Sequence, residues 1–206
     1  MTPLYRSLNA EAAKLARELA RVAPTSLPLL LEGETGTGKS FLARRIHRRS
    51  RPGKPLVVVD CAAIPETLLP SELFGHTAGA FTDATRPRRG ALEQAGDGTL
   101  VLDRLDALTP ATQAALLRVL EEQRFTPLGG SQPRPLRARV IALVGFGVAD
   151  KLKTGDFRAD LYHRVAGFHA LLLPLRKRPE DILPTARAWL AKHAPSFRLE
   201  AEAEKL

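Results

Sequence analysis

The chain has 206 residues, 44% hydrophobic and 26% charged: too apolar for a disordered polymer, and long enough to bury a core in one domain or in one domain and the start of a second. Its single cysteine, Cys61, excludes a disulfide framework and a cysteine-rich zinc site and points to a reducing cytoplasm. Lys and Arg number 31 against 22 Asp and Glu, a formal charge of +9 that favours an anionic partner, although an arginine-rich solvated surface would give the same balance.

Leu4, Leu8, Ala12, Leu15 and Leu19 recur at helical spacing and predict a helix over residues 4–22, ended by Pro24. Leu27 to Leu31 reads as a buried strand, Lys39 to Arg49 as a helix, and Leu56 to Val59 as a second strand. Pro65 to Leu73 follows as a helix with Leu68, Leu69 and Leu73 on one face. Gly75 to Gly98 carries five glycines and little periodicity, which marks a long functional loop. Strands are expected at Thr99–Leu102, Arg139–Val144 and His169–Leu173, with helices at Pro110–Glu122 and Pro179–Lys192. Strands alternating with helices give an α/β fold with a parallel sheet covered on both faces. No apolar run is long enough for a membrane span, and the N-terminus lacks the apolar segment of a secretory signal.

Gly33-Glu34-Thr35-Gly36-Thr37-Gly38-Lys39-Ser40 fits the phosphate-loop pattern G-x-x-x-x-G-K-[ST] and sits between a predicted strand and a predicted helix, as that pattern requires. Its glycines let backbone N–H groups curl around phosphate oxygens, Lys39 supplies a point charge for the β and γ phosphates, and the Ser40 hydroxyl is placed to ligate Mg²⁺. Asp103, ending the apolar run Thr99-Leu-Val-Leu, emerges at the carboxyl edge where open α/β sheets bind ligands and would hold a Mg²⁺-bound water. The motif therefore points to a bound nucleotide with Mg²⁺.

Ser71 to Gly90, SELFGHTAGAFTDATRPRRG, resembles the signature insertion of the AAA+ domain of bacterial sigma-54-dependent transcription activators, whose core reads GAFTGA. DCAAIPETLL, GTLVLDR, FRADLYHR and PLRKRPEDI resemble further segments of that family in collinear order across nearly the whole chain. The resemblance implies an AAA+ P-loop domain over residues 1–173 and the start of a helical lid over residues 174–206. It implies a ring-forming ATPase, homo- or hetero-oligomeric, acting on the sigma-54 RNA polymerase holoenzyme. Phe81 and Thr82 match the residues that touch sigma-54; the alternative buries Phe81 in this chain's own core. Arg158 and Arg164 match two arginines that act in trans on a neighbour's γ-phosphate, against the plainer reading of a surface arginine paired with Asp156 or Asp160. The segment in which the family's lid carries a nucleotide-sensing Arg is not reached, and no receiver, sensory or helix-turn-helix DNA-binding pattern is expected here.

Four positions depart from the family pattern. Arg104 stands where the Walker B Glu polarises the attacking water, and a guanidinium cannot act as a base. Asp60 replaces the Asn that contacts that Glu, and Gly145 replaces the sensor Asn. Asp83 replaces a Gly in the insertion, where a position needing φ > 0 would strain it. An Asp60–Arg104 pair in place of the Asn–Glu contact is the coupled reading of the first two changes; independent drift is the other. The sequence thus favours a domain that binds ATP and cleaves it weakly or not at all. The alternatives are a working ATPase in which Asp106 or Glu93 orients water, and a nucleic-acid-binding module that uses the arginine clusters.

Overall fold

A computed structural model describes residues 4–200. Its strands are β1 (Leu29–Gly33), β2 (Leu56–Asp60), β3 (Gly75–His76), β4 (Arg88–Arg89), β5 (Thr99–Asp103), β6 (Arg124–Phe125), β7 (Arg134–Pro135), β8 (Arg139–Val144) and β9 (Phe168–Leu172). Five of them form a parallel central sheet in the order β2-β5-β8-β1-β9. Two short hairpins stand outside it, β3 with β4 and β6 with β7. The helices are α1 (Ala10–Val22), α2 (Lys39–Ser50), α3 (Leu69–Phe74), α4 (Ala91–Gln94), α5 (Pro110–Glu122), α6 (Val148–Thr154), α7 (Ala159–Val165) and α8 (Ile182–His193).

Strand alternation sends successive side chains to opposite faces, and both faces are apolar here. Leu30, Leu100, Leu102, Val140, Ala142 and Val144 pack into one core with α3, α4, α5 and α7. Leu29, Leu31, Val101, Ile141 and Leu143 pack into the other against α1 and α2. Arg139 is one charged exception, with Glu32 of β1: it is 2% exposed, and its guanidinium donates to the carbonyls of Val22, Ala23 and Leu27. It thereby satisfies carbonyls that the end of α1 leaves without intrahelical partners.

Several local expectations are corrected. The first helix starts at Ala10, because Asn9 caps it by accepting from the Ala12 N–H and the Tyr5 hydroxyl folds back onto the Ala12 carbonyl. Leu4 is buried while Leu8 is exposed, so their spacing is not that of one helix face. The first strand begins at Leu29 and the last at Phe168. The third helix begins only at Leu69, and Leu68 is half exposed. The stretch from Gly75 to Gly98 is not one loop: it holds the β3–β4 hairpin and α4. The expected C-terminal helix begins as a 3₁₀ turn at Pro179–Asp181 and continues as α8; residues 201–206 of the expected lid lie outside the described residues. Among the described residues no helix is long and apolar enough to cross a membrane.

Candidate functional site

β1 runs out at Gly33 and α2 starts at Lys39, so residues 34–38 bridge the carboxyl edge of the sheet to a helix N-terminus. Gly36 and Gly38 have φ of 86° and 95°, with nothing within 4 Å of where a Cβ would stand. Backbone handedness, and not crowding, therefore demands glycine at both, as a loop that turns its N–H groups toward one concavity requires. Thr37 Oγ1 donates to the Glu34 carbonyl at 2.8 Å and braces the loop. Lys39 Nζ donates to the carbonyls of Gly33 and Glu34 at 2.6 and 2.9 Å. Burial lowers the Lys39 pKa, and the carboxylates of Asp103 and Asp106 oppose that shift. Ser40 Oγ donates to Asp103 Oδ2 at 3.2 Å, which brings the two expected metal-holding groups together across the sheet edge.

A cavity of about 750 Å³ opens beside this loop, between Tyr5 and Leu15 on one side and Leu172 and Arg178 on the other, with Phe41 at its edge. An apolar wall next to a left-handed glycine loop and a lysine suits a nucleoside carrying phosphates. Glu34 and Arg176 join in a bidentate pair at 2.7 and 2.5 Å, linking the loop to the turn that follows β9. Asp181 accepts from Ser7 Oγ and the Leu8 N–H at 2.5 and 2.6 Å and ties the N-terminal segment to the start of α8.

β2 and β5 pair in register with Asp60 beside Asp103. Arg104, the next residue, takes the left-handed conformation, φ 54° and ψ 46°, which is uncommon outside glycine. Its Nε donates to Asp60 Oδ1 at 2.7 Å and its Nη2 to Asp60 Oδ2. The Ala62 N–H also donates to Asp60 Oδ1, at 3.1 Å. Arg104 holds the Asp60 carboxyl below its ordinary pKa. At the end of β8, a Cβ built on Gly145 would meet only Asp106 Oδ2, at 3.7 Å, and that carboxylate is bonded to Lys151 Nζ at 2.8 Å. Glu93 lies elsewhere, engaged by Arg89 and Arg134.

Arg158 and Arg164 bracket α7. Arg158 pairs with Asp160, Nε to Oδ1 at 3.0 Å and Nη2 to Oδ2 at 2.7 Å, while Arg164 donates to the Leu120 carbonyl. The buried amide of Gln113 fixes the start of α7, accepting from the Arg158 N–H and donating to the carbonyls of Leu108 and Asp156. Gln113 and Lys151 carry no local sequence signal of these roles, because Arg158 and Asp106, their respective partners, are 45 residues away.

The insertion projects from the β3–β4 hairpin. Phe81 is 42% exposed, so it is not a core residue, and its ring meets His76 edge-on at 4.9 Å. His76 is itself fixed between Ser71 Oγ at 2.7 Å and the Arg86 carbonyl at 3.1 Å. Thr82 and Asp83 are exposed beside Phe81, and Asp83 is not among the residues of positive φ, so the strain expected there is absent.

The family profile described as Sigma-54 interaction domain matches residues 6–170. The chain belongs to the sigma-54 interaction domain family. It is 48% identical over 179 residues to the nitric oxide reductase transcription regulator NorR2 of Cupriavidus necator, covering 86% of this chain and 34% of that protein. Crystal structures of NtrX from Brucella abortus with ADP and with ATP each superpose with a TM-score of 0.82 at 31% identity. They cover 91% and 92% of this chain and 41% of the NtrX chain. The fold of this sigma-54 interaction domain is accordingly the AAA+ type of P-loop NTPase, and the chain spans about a third of the curated relative it matches.

Proposed function

We propose that this chain binds ATP with Mg²⁺ at residues 33–40 and Asp103, cleaves it weakly or not at all, and acts as a nucleotide-gated regulatory domain in sigma-54-dependent transcription. The Asp60–Arg104 pair carries this reading: a permanent cation occupies the position beside Asp103 where the family places its base, and it is held there by two donors on Asp60. Glu93, one of the two alternative carboxylates, is engaged by Arg89 and Arg134. Mg²⁺ would supply charge neutralisation of the phosphates, held through Ser40 and Asp103.

Phe81 and Thr82 are assigned to sigma-54 contact, consistent with an exposed aromatic on a glycine-bordered loop. Arg158 and Arg164 are assigned to a neighbouring subunit's nucleotide within a ring, which requires Arg158 to leave Asp160. The test measures nucleotide binding and phosphate release together on the purified chain, with Lys39→Ala as the background. Binding with release at that background is expected, with release restored by Arg104→Glu combined with Asp60→Asn. Brisk release by the unmodified chain, or no nucleotide binding, overturns the reading.

A further inference from the structure

We propose that Lys151 reads the terminal phosphate, exchanging the Asp106 carboxylate for the third phosphate of a bound nucleoside triphosphate. This rests on the nucleotide-binding reading above and adds to it the residue that separates a triphosphate from a diphosphate.

Three observations converge. Gly145 leaves room at the carboxyl end of β8, and the only heavy atom within 4 Å of a Cβ built there is Asp106 Oδ2. The Asp106 carboxylate in turn holds Lys151 Nζ at 2.8 Å, and the Asp106 carbonyl holds it at 2.9 Å. An ammonium has three donors, so one remains, and the Lys151 side chain is 43% exposed. Val144 pairs with Glu32 in the sheet, so Gly145 and Gly33 leave adjacent parallel strands at the same edge, and Lys39 Nζ sits on the Gly33 carbonyl there. A terminal phosphate delivered beside Lys39 brings more negative charge than one carboxylate, and the ammonium gains by moving to it.

The exchange has a route outward. The Lys151 carbonyl accepts from the Phe157 N–H at 3.1 Å, Phe157 is fully buried, and Arg158 follows it with its own N–H on Gln113. The backbone of Lys151 is thus tied to the segment that starts α7.

The test titrates the full chain with Mg-ATP, or a non-hydrolysable analogue, and with Mg-ADP. Lys151→Gln is expected to lose about tenfold in triphosphate affinity with diphosphate affinity unchanged, while Lys151→Arg keeps the preference. Asp106→Asn, which removes the competing negative charge while keeping the Asp106 carbonyl as an acceptor, is expected to raise triphosphate affinity. Equal effects of Lys151→Gln on both nucleotides, or none on either, overturn the proposal while leaving nucleotide binding intact. Absence of binding by the unmodified chain, indistinguishable from Lys39→Ala, overturns the nucleotide reading and this proposal together.

Discussion

Arg104 and Asp60 face each other across two adjacent parallel strand ends, joined through both carboxylate oxygens. The arrangement predicts an order of stabilities. Arg104→Glu alone sets two carboxylates against each other and lowers the melting temperature below that of the unmodified chain; adding Asp60→Asn recovers it. Thermal melts of the three proteins at one salt concentration check the order.

The same pair sets a pH dependence. The Arg104 hydrogen bond lowers the Asp60 pKa in the folded chain from its ordinary 3.8, so its stabilisation is complete above that value and is lost as pH falls through the lower folded value. Carbon NMR of the Asp60 carboxyl is expected to titrate at lower pH than in Arg104→Ala, with no change between neutral pH and about pH 5.

Phe81 is too exposed to hold the fold together. Phe81→Ala is expected to change stability by no more than about 0.5 kcal/mol while abolishing capture of purified sigma-54 in the presence of nucleotide. Urea denaturation and a pull-down on the same preparation check both halves.

Arg139 is the opposite case. Burial draws its pKa down to about 10, yet its guanidinium serves three carbonyls. Arg139→Met takes the guanidinium away from the Ala23 and Leu27 carbonyls, while Val22 keeps Thr25 as a donor, and is expected to cost about 3 kcal/mol in urea denaturation.

What the sequence reveals here is what is local. GETGTGKS and TLVLD carry their chemistry in consecutive residues, and the Pro110–Glu122 helix has the bounds read from the sequence, with Leu116, Leu117 and Leu120 buried. The helices α6 and α7 are seven residues each, too short for periodicity to register, and they escape sequence reading. Leu4 and Leu8 mislead because Tyr5 and Asn9 both turn to Ala12 and fix a different start. The Lys151–Asp106 and Gln113–Arg158 bonds need the fold to bring distant residues together.

The Ser7 and Leu8 bonds to Asp181 have a mechanical consequence. Fastened there, the N-terminal segment and the start of α8 are held to each other, and Glu34–Arg176 holds the turn after β9 to the phosphate loop. Both ties therefore bear on the cavity: Glu34 and Arg176 line it, as does Arg178, which is bonded to the same Asp181.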